Sequence, residues 1–213
     1  MDDIMSGMNV SHPYRAVSPS LDGDVLQTLA GTKMLLTGRQ VAQLTGKNSH
    51  SGVLNVLNRL TEHGLVDRVE LNRASLFSLN RDHLAYPAVV ALAGMRTALL
   101  GHLRAQLDKW EIAPMHASLF GSTARGDGDT KSDIDVFVVR PAGVSEEHPQ
   151  WRMQVGEFED RVGRMTGNRV AVLEASEGEL ARLRDDAPPI LVALRADAIV
   201  LSGPGISALF GDE

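Results

Sequence analysis

Cysteine is absent from the 213 residues, which excludes disulfide-stapled scaffolds, thiolate zinc sites and cysteine nucleophiles and gives no sign of an oxidising compartment. A surplus of basic charge is absent as well. Lys and Arg number 21 against 27 Asp and Glu, a formal net charge of −6, so the chain does not coat nucleic acid along its whole surface, although a local basic face stays open. No run of uninterrupted apolar residues reaches the length of a membrane helix, and the opening MDDIMSGMNVSHPYRAVSPS lacks the apolar stretch of a signal peptide. The expectation is a soluble, cytoplasmic protein with no membrane partner. What remains is ordinary globular usage, 43% hydrophobic and 23% charged, enough for one large domain or two small ones with real cores.

Residues 1–20 carry scattered Gly, Ser and Pro without periodicity and read as a flexible N-terminal arm or a short docking strand. From Leu21 the pattern changes: Leu21, Val25, Leu26 and Leu29 recur at helical spacing, and Gly31 can end that helix. Thr37 can cap a second helix containing Val41 and Leu44, closed by Gly46. Ser49 or Ser51 can cap a third, with Val53, Leu54, Leu57 and Leu60 on its apolar face and a stop at His63-Gly64. Residues 65–70 and 75–79 then alternate as two strands of a hairpin turning near Arg73.

Helix, helix-turn-helix and hairpin is the order of a winged helix, and residues 21–82 resemble the winged helix-turn-helix family. The resemblance implies DNA as a partner, read by the amino end of the third helix through Lys47, Asn48, Ser49 and His50, with Arg73 at the wing tip. Residues 31–80 hold six Lys/Arg against three acids, a surplus weaker than a dedicated DNA binder usually shows. A protein-docking or dimerisation module therefore stays open as the alternative. Residues 83–112 follow as a connecting helix in which Leu92, Met95, Leu99, Leu103 and Leu107 form one stripe, with Pro87 in its first turn. Such a stripe is a packing or dimer face, which leaves a homodimer open and assigns the segment no chemistry.

The chemistry lies in HASLFGSTARGDGDTKSDIDVFVV, residues 116–139. A short apolar strand runs into Gly121-Ser122, a helix-like piece ends at Gly126, and after a Gly/Asp loop a second strand begins near Ser132. Asp133 and Asp135 stand two apart, so they project from one face while Ile134, Val136 and Val138 take the other. Adjacent carboxylates raise each other's pKa unless a cation sits between them. Oxygen ligands of this kind suit Mg²⁺ or Mn²⁺, which bridge carboxylates to nucleotide phosphates. A glycine without Cβ lets the backbone of the Gly121-Ser122 turn approach a phosphate, and the Ser122 hydroxyl adds a donor. Together these residues read as a site for phosphoryl or nucleotidyl transfer.

FGSTARG followed by SDIDVFVV resembles the DNA polymerase β-like nucleotidyltransferase superfamily, in particular its small minimal members. The resemblance spans roughly residues 113–205 of a domain assigned to residues 113–213, and it is motif-specific over the first strand-turn-strand. It implies a triphosphate-binding turn at Gly121 and Ser122, a catalytic metal-binding pair at Asp133 and Asp135, a family arginine at Arg125 that is structural or near phosphate, and a polar nucleotide-side residue at Ser132. It further implies an NTP as substrate, a protein, RNA or small-molecule hydroxyl as acceptor, and a setting in toxin–antitoxin or defence pairs. The expected fold class is α+β: an N-terminal winged helix-turn-helix, a connecting helix, and a polymerase β-like domain with a small mixed sheet.

One departure from the family pattern stands out. A third carboxylate is expected on the strand NRVAVLE, beside the first two, where the strand pattern places Ala171. Glu174 lies three residues on, which plain alternation sends to the opposite face. A bulge or the strand end could turn it inward; otherwise it reads as a solvated or helix-capping acid near Ala175-Ser176. Two readings therefore stand: a Mg²⁺-dependent nucleotidyltransferase, or a winged-helix transcriptional regulator whose nucleotidyltransferase domain is degenerate. His116 reads as a surface or packing residue, and Lys131 and Arg140 either contact phosphate or neutralise the acids.

Overall fold

The computed structural model describes residues 7–46, 49–72, 74–186 and 188–211. The chain divides into two compact units, one spanning Pro13–Arg96 and the other running from Thr97 onward together with the N-terminal segment up to His12.

The first unit opens with a 3-10 turn, Pro13–Ala16, and continues with α1 (Leu21–Ala30), β1 (Leu36–Thr37), α2 (Gly38–Leu44), α3 (His50–Glu62), β2 (Val66–Leu71), β3 (Ala74–Leu79) and α4 (Tyr86–Ala93). The helix starts expected from the sequence have their physical cause in side-chain caps. Thr37 accepts from the backbone N–H of Gln40 while the Gln40 side chain accepts from the Thr37 N–H, a full capping box. Ser49 does the same for α3, its Oγ accepting from Gly52 N at 3.1 Å. The hairpin pairs β2 with β3 from Val66 opposite Leu79 to Leu71 opposite Ala74, and β1 closes the other edge of β3. Val25, Leu29, Val41, Val53, Leu57, Phe77 and Leu79 bury one shared core beneath this sheet.

The segment expected as a connecting helix is present as two helices, α4 and α5 (Met95–Leu107), meeting at Gly94. Gly94 N–H bonds back to Val90 O and Leu92 O and closes α4, in keeping with the high entropic cost of glycine inside a helix. The leucine stripe is split accordingly. Leu99, Leu103 and Leu107 are buried in the core of the second unit, so α5 is a structural layer of that unit.

The second unit adds β4 (His116–Phe120), α6 (Gly121–Arg125), β5 (Ile134–Arg140), α7 (Pro149–Thr166), β6 (Val170–Ser176), α8 (Glu177–Asp186), α9 (Pro189–Asp197), β7 (Ile199–Ser202) and α10 (Ile206–Phe210). Its sheet is mixed, in the order β6-β5-β4-β7, with β5 and β6 parallel and the other pairs antiparallel. Strand alternation sends Ile134, Val136 and Val138 to one face, where α5 and α7 cover them with Leu103, Trp151, Val155, Phe158 and Val162. Phe137 and Val139 go to the other face, under α8, α9 and α10 through Leu180, Leu191, Leu194 and Phe210. The architecture is therefore α+β, with an N-terminal helix and strand cluster, a connecting segment and a C-terminal mixed sheet.

The N-terminal segment was expected as a free arm or a docking strand, and residues 7–12 dock. Gly7 N donates to Thr130 O and Met8 N to Thr166 O, both at 2.9 Å. Val10, at 2% exposed, enters the core beside α5 and α7. Burial of this apolar side chain adds to the backbone hydrogen bonds that hold the segment down.

Candidate functional site

Antiparallel pairing of β4 with β5 places Phe120 across from Asp135, so the chain leaves β4 through Gly121 directly beside the first turn of the acidic strand. Gly121 has φ +70°, and a Cβ built there would lie 2.7 Å from Asp135 Oδ2. Two independent constraints thus demand glycine: a left-handed backbone and a carboxylate packed against its α-carbon. The next residue organises the loop. Ser122 O accepts from the N–H groups of Gly126, Asp127 and Gly128 at 3.0–3.2 Å, wrapping the Gly/Asp loop around the end of α6, with Gly126 at φ +84°.

The loop is closed on itself before the acidic strand begins. Asp129 Oδ1 accepts from Lys131 N at 2.8 Å and from the Ser132 hydroxyl at 3.1 Å, while Ser132 Oγ accepts from Asp129 N at 2.9 Å. These donors hold the Asp129 carboxyl below its ordinary range, the Lys131 N–H first and the Ser132 hydroxyl second. Ser132, expected on the nucleotide side, spends its hydroxyl here. The buried Thr123 ties α6 to the strand by donating to Asp133 O at 3.1 Å, and Asn168 Nδ2 donates to Ser132 O at 3.0 Å.

Asp133 and Asp135 are brought to one edge of the sheet. The Asp133 side chain is 39% exposed, with Arg169 Nη1 at 3.9 Å from its Oδ2. Asp135 is half-buried, and its carboxyl is raised above the ordinary aspartate range, by burial first and by the charge of Asp133 second, with Arg125 opposing. Arg125 is held between two other acids, Asp127 and Asp197 of α9, each at 3.1 Å, and these two bonds raise its own pKa. The family arginine therefore braces α6 against α9.

The third position is settled by register. In the parallel β5–β6 ladder Asp135 pairs with Ala171 and Val138 with Glu174. Glu174 stands on the α7 face, accepting from Trp151 Nε1 at 2.6 Å and from Arg140 Nη1 at 3.0 Å. It is a structural acid, and no bulge turns it toward Asp135. Arg140 is 5% exposed on that same face, which removes it from phosphate contact. Among the described residues no group of three or more His, Cys, Asp or Glu is placed to hold a metal ion. His116 is fully buried, its Nδ1–H donating to Pro204 O at 2.8 Å, and burial pushes its pKa down.

Two residues of this edge had no signal in the sequence. Asn168 is 5% exposed and joins Met8 N to Ser132 O. Arg169 reaches Asp133 only because β6 lies next to β5. Of the residues expected to face DNA, Ser49 is the α3 cap and His50 its exposed first residue. Lys47, Asn48 and Arg73 lie outside the described residues.

A strand, a Gly-Ser turn, a one-turn helix and an Asp-x-Asp strand thus follow one another in a small mixed sheet. Residues 102–189 match the model of the nucleotidyltransferase domain family, so the chain carries a C-terminal polymerase β-like nucleotidyltransferase domain. No curated protein and no solved structure matches the chain. Among the described residues no helix is long and apolar enough to cross a membrane.

Proposed function

We propose that this domain transfers a nucleoside monophosphate from an NTP to a hydroxyl of a protein, RNA or small molecule, with Mg²⁺ or Mn²⁺ as cofactor. The observation that carries the reading is the convergence of Gly121, Ser122, Asp133 and Asp135 at one sheet edge, with the Asp135 carboxyl raised by burial and by its neighbour. Two hard oxygen donors that disfavour each other's ionisation fit a divalent cation, which would relieve their repulsion. Asp133 and Asp135 would hold it, and when bound it would neutralise charge on the phosphate oxygens. The Gly121-Ser122 turn would take the triphosphate, because the missing Cβ leaves its backbone open to a phosphate. Ser132 and Arg125 act by shaping the loop and bracing α6. Ala171 stands across from Asp135 where the family pattern puts a third acid, so turnover is slow unless the acceptor brings its own base. The family resemblance points to a toxin–antitoxin or defence pair as the setting.

Calorimetric titration of each Mg²⁺-NTP into the wild type and an Asp133→Asn/Asp135→Asn variant tests the reading. Metal-dependent binding that is lost in the variant is the expected result. Binding that survives the double substitution overturns it.

A second reading rests on the first unit, whose order of helices and hairpin with the capped α3 suits a winged-helix DNA-binding regulator. Ser49, His50 and Ser51 are exposed at the amino end of α3, where such a helix meets base edges and phosphates. The test is DNA affinity, which should fall with added salt and with Lys47→Ala or Arg73→Ala. Binding indifferent to all three counts against it.

A further inference from the structure

The face that carries the two aspartates continues onto β6, and what it finds there is a cation. Ala171 pairs with Asp135, and one step earlier Ile134 N donates to Arg169 O at 2.9 Å, which sets Arg169 beside Asp133 as Ala171 stands beside Asp135. The guanidinium reaches Asp133 Oδ2 at 3.9 Å and is 79% exposed. At that separation and exposure the ion pair is weak and the side chain is free to re-pair. Arg125, a second cation near these acids, is already bonded to Asp127 and Asp197.

Two metal ions a few ångströms apart need bridging carboxylates to offset their mutual repulsion. Here two carboxylates have a guanidinium beside them, so a second divalent cation would meet a positive charge and lack a third acid at Ala171. A phosphate, by contrast, suits a planar guanidinium that can bond two of its oxygens at once. We propose that this site takes a single divalent cation per nucleotide and that Arg169 supplies the second positive charge by contacting a phosphate of the triphosphate. The inference rests on the NTP-binding reading above and specifies how that site is charged.

The test is an electron paramagnetic resonance titration of Mn²⁺ with each of the four α,β-methylene nucleoside triphosphates, on the wild type, Arg169→Ala and Arg169→Lys. The wild type is expected to bind one Mn²⁺ per nucleotide. Arg169→Ala should lose about tenfold or more in nucleotide affinity, the scale of one charge-assisted contact, and Arg169→Lys should recover part of it. Mn²⁺ alone should bind Arg169→Ala at least as tightly as the wild type. Two Mn²⁺ per nucleotide in the wild type, or unchanged nucleotide affinity in Arg169→Ala, overturns this inference and leaves the NTP reading standing. Weaker binding of Mn²⁺ alone to Arg169→Ala also overturns it, because Arg169 would then only orient Asp133. No nucleotide binding by the wild type overturns both readings together.

Discussion

Ala171 lies directly across from Asp135 in the parallel ladder between β5 and β6. The strand that would present a third acid is in place and in register, and its side chain at that point is a methyl group. Asp135 consequently has an acidic neighbour just before its strand, Asp133, and an apolar one across the ladder; burial first and the charge of Asp133 second raise its pKa, with Arg125 opposing.

That raised pKa fixes a pH dependence. The proton is held more tightly by Asp135 in the folded protein than in the unfolded chain, so its contribution to stability is fully present below the ordinary aspartate pKa of about 3.9. It is lost as pH rises through the raised folded value. Asp135→Asn removes that loss, and the variant should be more stable than the wild type at pH 7 in the absence of metal. Urea unfolding of both proteins from pH 3 upward should show the curves diverging as pH rises. A constant offset, or a less stable variant at neutral pH, would sink the assignment.

Gly121→Ala should damage both backbone and site. The residue sits at φ +70° and its added Cβ would press to 2.7 Å from Asp135 Oδ2. Left-handed backbone costs a non-glycine residue about 1–2 kcal/mol, and the clash displaces the carboxylate. The expected outcome is a drop in stability of that size, read by urea unfolding, with loss of metal-dependent nucleotide binding in the protein that remains folded.

Glu174→Gln separates structure from chemistry. The carboxylate accepts from Trp151 Nε1 and from the nearly buried Arg140, so neutralising it leaves the guanidinium with Glu179 alone, at 3.5 Å. A cost of about 2 kcal/mol is expected, since partly buried ion pairs lose more than surface ones when one partner is removed. Nucleotide binding should be unchanged, because Glu174 stands on the α7 face. Calorimetry on the variant checks this, and an abolished nucleotide site would return Glu174 to the chemistry.

Asn168→Ala should loosen the approach to the acidic strand. Its amide accepts from Met8 N and donates to Ser132 O, each at 3.0 Å. Losing both leaves Ser132 O short of a donor, at about 1–3 kcal/mol for a buried group, while Met8 N keeps its bond to Thr166 O. Amide hydrogen exchange should quicken at Met8 and across the loop from Gly126 to Ser132. Unaltered protection there would mean that the N-terminal segment does not brace the loop.

Most of the elements, and the half of the site that is local, follow from short-range residue choice. Thr37, Ser49 and Gly121 act on backbone groups within a few residues, and the alternation of Asp133 and Asp135 with Ile134 and Val136 is a property of one strand. The same alternation correctly sent Glu174 away from Ala171. It could not break the connecting helix at Gly94, because propensity alone weighs one glycine against a long apolar stripe, and the break came where the two units part. Which charges share a space is set by long-range packing. Arg169 meets Asp133, Glu174 meets Trp151, Arg125 meets Asp197, and Met8 meets Asn168 across sequence separations that no local pattern encodes. The pairing of β6 alongside β5 and the docking of Val10 bring them together, driven by apolar burial that is indifferent to which polar groups it carries along.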